Sequence, residues 1–254
     1  MDPLAPGWIL LGTPFRCHGV PADLQADLAA LLRGFPPAGP AAEAVELQVG
    51  EERPAANIEY RLVNEAISRA QGRWVLHAGA VEGPRGTCLV IGESGAGKTS
   101  LTLWLWASGL RLVTDDLCPV LHDSLQPERF PRALHMDCVY SPLLLERIPP
   151  RPPAYPADYY PFPDAAAGTP PPVADLLVLE RGPKPEGELE PLSQSEAAHH
   201  LLGAVIKSPS FDYGEALSGM IRLASGCRAR RLRASTPEGA GALALTYLTA
   251  APAP

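Results

Sequence analysis

The chain has 254 residues, enough for one sizeable hydrophobic core with at most a small appended unit. Hydrophobic residues make up 46% of it and charged residues 19%, which excludes an intrinsically disordered protein. A net charge of -7 excludes the overall basic surplus of a nucleic-acid binder.

In chain order, the run Met1-Asp2-Pro3-Leu4-Ala5-Pro6 has no basic segment followed by an apolar stretch, so no secretory signal is predicted. Residues 22–32 carry apolar residues at helical spacing and predict a short amphipathic helix, which the proline-rich stretch 35–40 breaks. Alternation over 45–49 predicts a strand. Residues 58–71 predict a helix with Leu62, Ala66 and Ile67 on one side and Gly72 as its C-cap. Next come a strand over 74–81, a turn at 83–86 and a buried strand over 87–91. A glycine loop follows, then a helix over 98–108 ended by Gly109 and a strand over 110–114. Strand, loop, helix and strand within about 30 residues form a βαβ unit, so a parallel sheet with helical cover is expected. Prolines crowd 149–172 and forbid a persistent helix or central strand there. Beyond it, a strand is predicted over 175–179 and a helix over 193–205 that opens with a Ser193–Glu196 capping box. A strand over 228–232 and a closing helix over 236–248 complete the chain.

No apolar run reaches the roughly 18 residues that span a bilayer. The five cysteines, at 17, 88, 118, 138 and 227, are scattered without a C-x-x-C pair. Reduced thiols in a cytoplasmic protein are expected, with neither a membrane nor a nucleic acid as partner.

The chemistry is concentrated in the centre. Gly92, Gly97, Lys98 and Thr99 satisfy G-x-x-x-x-G-K-[ST], with Glu93, Ser94, Gly95 and Ala96 between and Ser100 following. Glycines let successive backbone N–H groups converge on phosphate oxygens, and the following helix aims its own N–H groups at the same anion. Lys98 supplies a mobile charge to the β- and γ-phosphates, and the Thr99 hydroxyl can ligate magnesium. The loop alone does not choose among kinase, NTPase, transporter ATPase and GTPase.

Asp115 and Asp116 end the strand after the loop helix, at the edge where open α/β sheets deliver ligand-binding groups. Two adjacent carboxylates permit a division of labour in which one holds the metal and the other accepts a proton from a hydroxyl. His77, upstream of the loop strand, can donate to a phosphate or tune a neighbouring carboxylate. Arg129 and Arg132 follow the aspartates as candidate phosphate or carboxylate clamps, alongside His135. Tyr155, Tyr159, Tyr160 and Phe162 in the proline-rich loop form a candidate acceptor lid. Arg228, Arg230, Arg231 and Arg233 are read as a solvated strand edge, with an anionic substrate or subunit contact as the alternative. His199-His200 is read as surface or packing, and Trp104 and Trp106 as core or interface.

The segments Leu76-His77-Ala78-Gly79-Ala80-Val81, Val90-Ile91 with the glycine loop, and Arg111-Leu112-Val113-Thr114-Asp115-Asp116 together resemble the catalytic domain of HPr kinase/phosphorylase. The resemblance covers residues 74–120 well. It extends to the shorter HPr-kinase-related proteins, some of which serve peptide natural-product pathways, including kinases of lasso precursor peptides. It implies an α/β fold: a P-loop kinase core of the HPr kinase and phosphoenolpyruvate carboxykinase type over 74–254, with a small N-terminal α+β extension over 1–73. It also implies that Asp115 is the base toward a serine hydroxyl, that Asp116 helps place the metal, and that His77 and Lys98 lie at the phosphates. Two departures stand out. The family's Leu-Glu-Val-Arg-Gly-like segment is matched only in part, by Leu179-Glu180-Arg181-Gly182, and about 70 residues are too few for the family's N-terminal regulatory domain.

The expectation is therefore an ATP- and magnesium-dependent serine kinase acting on a peptide or protein, possible as a homo-oligomer. A small-molecule hydroxyl kinase and a non-catalytic nucleotide-binding scaffold are the rivals.

Overall fold

A computed structural model of the chain describes residues 7–39, 43–50, 54–136, 146–147, 151, 155, 158–163 and 168–250. Its centre is a six-stranded mixed sheet of β5 (Gly79–Gly83), β6 (Gly86–Gly92), β7 (Arg111–Thr114), β11 (Val173–Arg181), β12 (Glu188–Pro191) and β13 (Arg228–Ala234), in the order β12-β13-β11-β6-β5-β7. The fold is thus α/β, but the sheet departs from the all-parallel expectation. β11 pairs in parallel with both β6 and β13, while β5 is antiparallel to β6 and to β7. The reason is the tight turn between β5 and β6, which makes the two strands antiparallel neighbours. The β6–α3–β7 crossover therefore steps over β5 instead of placing β7 beside β6.

Helices cover both faces. On one, α3 (Lys98–Ala107) and α6 (Pro237–Thr249) bury Leu101, Leu105 and Ala244 against Val81, Val90, Leu177 and Leu232. On the other, α4 (Gln194–Ala204) and α5 (Tyr213–Gly226) bury Leu201, Met220 and Leu223 against Leu89, Ile91, Leu176 and Val178. The expected capping box is present: the Glu196 N–H donates to Ser193 Oγ, and the Ser193 N–H donates to the Glu196 carboxylate. The arginine run lies on β13, an interior strand between β12 and β11 and not an edge. Arg231 and Arg233 project to Glu180 and Glu190, so these side chains form a cross-strand ion-pair ladder.

The N-terminal part builds a three-stranded sheet of β1 (Gly7–Leu10), β2 (Thr13–His18) and β3 (Val45–Gln48), with α1 (Gln25–Leu31) and α2 (Ala55–Arg69). Its apolar cluster includes Val75, Leu117, Phe130 and Tyr155 beside Phe15, Leu28, Ile58 and Leu62, so later residues share its core.

The predicted strand over 74–81 is interrupted. β4 (Arg73–His77) pairs with β8 (Leu117–Leu121), and after Ala78 the chain steps into the central sheet as β5. β7 makes the same step at Asp115-Asp116 to become β8. The two steps face each other, and the Ala78 N–H donates to the Asp116 carbonyl at 2.9 Å.

The proline-rich segment lies in part outside the described residues, as does Cys138; the cysteines at 17, 88, 118 and 227 are free thiols. Among the candidate lid aromatics, Tyr155 is buried in the N-terminal cluster, and Tyr159 and Tyr160 form β10 (Tyr159–Tyr160) against β9 (Leu134–His135). No helix among the described residues is long and apolar enough to cross a membrane.

Candidate functional site

The glycine loop leaves the C-terminal end of β6 and enters α3 through Gly97, whose φ of 99° is accessible to glycine at little cost. The residues at this turn and at the start of α3 border a cleft of about 780 Å³. Ser94, Gly95, Ala96, Gly97, Lys98, Thr99 and Ser100 all border it, and so do Ser235, Thr236 and Pro237 at the start of α6. Two helix N-termini therefore open on one space, an arrangement that favours a bound anion. Lys98 is folded back onto its own loop and donates to the Gly92 and Glu93 carbonyls at 3.0 and 3.1 Å. Burial lowers its pKa, against the opposing pull of Asp116. An arriving phosphate would offer the ammonium a better acceptor than these neutral carbonyls.

A second opening of about 730 Å³ lies on the other side of the loop, bordered by Gly92–Ala96, His77, Glu180, Arg181 and the α4 residues His199, His200, Gly203 and Ala204. His77, Arg181 and loop residues 94–96 border both spaces.

The two strand steps bring the acidic pair beside His77, which borders both spaces. His77 Nε2 lies 3.3 Å from Asp116 Oδ1, and Arg132 Nη1 donates to Asp116 Oδ2 at 2.9 Å. Arg132 is itself clamped by Glu59 through a two-pronged pair of 2.7 and 2.9 Å. Asp116 is desolvated, but His77 and Arg132 outweigh that and hold its carboxyl below the usual range. Asp115 is only 5% exposed, and its Oδ1 has no hydrogen-bond partner. Burial, and then the charge of Asp116, push its pKa up to about 7. Adjacent in sequence, the two carboxylates are shifted in opposite directions, a pattern that separates proton-accepting from charge-retaining roles. Neither aspartate is among the residues that border either space.

Of the other sequence candidates, Arg132 joins the site and Arg129 does not. Arg129 ties Glu82 of β5 to the Leu112 carbonyl of β7, at the far end of those strands. His135 borders the first cleft, with its ring on Tyr159. Trp104 packs where α3 meets Gly241 of α6. His199 and His200, read as surface or packing, stand in the wall of the second opening.

Three features escaped the sequence reading. Arg181 reaches Gly95 of the loop, its Nη2 donating to that carbonyl at 3.4 Å. Ser235 and Thr236 face the loop helix across the cleft. Glu59, 1% exposed, anchors Arg132 from α2. Its signal was present: Glu59, Leu62, Val63 and Ala66 share the buried stripe of α2, where a carboxylate must find a cation.

Among the described residues, no group of three or more His, Cys, Asp or Glu side chains could hold a metal. Magnesium needs no such cage, since it takes one or two carboxylates or hydroxyls with phosphate oxygens and water. Thr99 and Asp116 are oxygen donors of that kind.

No family model matches the chain, and no curated protein matches it in sequence. Among solved structures, that of the Hpr(Ser) kinase/phosphatase from Coxiella burnetii aligns with 68% of this chain and 91% of its own, at 14% identity and a TM-score of 0.34.

Proposed function

We propose that this chain is an ATP- and magnesium-dependent kinase with a P-loop core of the HPr kinase type, transferring the γ-phosphoryl group to a serine-type hydroxyl of a peptide or protein. The observation that carries the reading is convergence: a glycine loop and two helix N-termini border one cleft, and His77 in its wall contacts Asp116, the partly exposed neighbour of buried Asp115. A generic triphosphate site needs the first part; deprotonating a hydroxyl needs the second.

The loop amides of Gly92, Glu93, Ser94, Gly95, Ala96 and Gly97 and the N–H groups of Lys98, Thr99 and Ser100 cradle the phosphates. Lys98 leaves its carbonyls and neutralises charge at the β- and γ-oxygens. Thr99 and Asp116 would hold magnesium, which when bound would offset the charge of the phosphate oxygens. The acceptor oxygen forms its bond to the γ-phosphorus as the bond to the β,γ-bridging oxygen breaks. ADP leaves, and the hydroxyl proton passes to Asp115. His77 orients Asp116 and lies beside the transferred group.

The test is Asp115→Asn, which is expected to keep ATP affinity and lose transfer. Normal phosphorylation by that variant would overturn the assignment. One observation favours a second distribution of roles: Asp116 is the more exposed carboxylate and the one that meets His77. If Asp116→Asn abolishes proton transfer while magnesium binding persists, the two aspartates exchange roles.

A further inference from the structure

The loop is a partition between two spaces of nearly equal size, about 780 and about 730 Å³, and their electrostatics differ. The first receives the N-termini of α3 and α6, so its unpaired N–H groups and helix dipoles favour a polyphosphate. The second receives the C-terminal half of α4, whose dipole has the opposite sign and disfavours a polyanion.

We infer that the second space, between the glycine loop and α4, binds the acceptor as a short polypeptide segment, and that His199 and His200 contact it. This rests on the kinase reading above. His77 and Arg181 border both spaces and so mark the place where a hydroxyl from one side meets a γ-phosphate from the other. A volume of about 730 Å³ lies within the range of about 300–1,000 Å³ usual for ligand sites and leaves room for more than the reacting side chain. The wall suits a polypeptide backbone. Gly203 adds no side chain, with open space where a Cβ would stand. The rings of His199 and His200 lie 5.9 Å apart, nearly perpendicular. Burial, and then the charge of Arg231, keep the His200 imidazole below its ordinary pKa. A neutral imidazole both donates and accepts, which matches a peptide group. Glu180, on the same wall, is paired with Arg231 and Arg233, so among the described residues Glu93 of the loop is the carboxylate of this space that carries no ion pair.

The experiment uses the whole chain with magnesium and γ-labelled ATP. Its acceptors are a degenerate peptide library with one fixed serine, free serine, and simple polyols and sugars. Wild type is expected to label peptides. The double variant H199A/H200A is expected to keep ATP affinity within about twofold while its KM for the best peptide rises at least tenfold and kcat changes less than threefold. H199Q/H200Q, which restores neutral hydrogen-bonding groups, should recover part of the loss. In wild type, the peptide but not ATP should protect both histidines from carbethoxylation. An unchanged KM in H199A/H200A, or protection by ATP alone, overturns the inference and leaves the kinase reading standing. Labelling confined to free serine or polyols overturns the polypeptide assignment. Absence of transfer to every acceptor overturns the kinase reading, and this inference with it.

Discussion

Two buried aspartates sit at opposite ends of the same sheet. Asp175, near the start of β11, is 2% exposed and fully occupied: Arg228 Nη2 donates to both oxygens at 2.9 and 3.1 Å, Arg85 to both at 3.3 and 3.4 Å, and the Tyr247 hydroxyl at 3.0 Å. The guanidinium groups of Arg85, Arg228 and Arg230 also lie over the Tyr247 ring. Asp115, at the far end of β7, is almost as buried yet keeps an oxygen without a partner. A carboxylate with every lone pair engaged has nothing left to do but hold strands and helix together. One that carries an unsatisfied oxygen in a low-dielectric site costs stability, and such costs persist where chemistry uses them.

The contrast can be broken by experiment. The largest effect is expected from Asp115→Asn: a loss of phosphoryl transfer of about 10²–10⁴-fold, the usual worth of a general base, with ATP affinity retained. Titration calorimetry against initial rates would separate the two. Asp175→Ala should do the reverse. Stranding Arg85 and Arg228 costs on the order of 3–5 kcal/mol in a urea melt, while the kcat of the folded fraction is unaltered. If that variant loses kcat, the far cluster is not merely structural.

Glu59→Gln tests the anchor beneath Asp116. Loosening Arg132 should reduce transfer about tenfold and raise the magnesium concentration needed for half-maximal rate, with a stability loss of about 1–3 kcal/mol. A variant that is less stable but has an unchanged magnesium requirement would make Glu59 a packing residue only.

The smallest effect is one of stability and has a defined sign. Asp115 holds its proton in the folded chain up to a pH of about 7, against an ordinary value of 3.8. Between those values the native state binds more protons than the unfolded one, so stability falls as pH rises from about 4 to about 7. In EDTA at pH 8, Asp115→Asn should therefore be more stable than wild type by on the order of 1–3 kcal/mol, a gain that vanishes near pH 4. Thermal melts at the two pH values decide it.

How much of this was legible depended on whether the responsible interaction was local. β6, the glycine loop, α3, β11 and the capped start of α4 were readable because strand hydrophobicity, glycine spacing and Ser193–Glu196 act within a few residues. β1 and β2 passed unread, being short, with Gly12 and Pro14 obscuring their alternation. α5 was not assigned at all, although Asp212 caps it by accepting from the Glu215 N–H at 2.7 Å. The antiparallel insertion of β5 was missed because the βαβ pattern says nothing about a hairpin already in place. Arg129 and Arg132 were indistinguishable in sequence: only tertiary structure sends one to Glu82 and the other to Glu59, 73 residues away in the chain. The placement of His199 and His200 likewise follows from how α4 packs and not from its pattern.

The paired strand steps at Ala78 and Asp115-Asp116 carry a last consequence, for tolerance to insertion and deletion. The steps are flanked by His77 opposite Leu117 in one sheet and by Ala80 opposite Thr114, next to a register shift at Val81, in the other. One residue added between Thr114 and Leu117, or one removed at Ala78, would break one of these pairings or draw Asp116 away from His77. Chain length across these two corners is thus under tight constraint. A scan of single-residue insertions should find both corners intolerant.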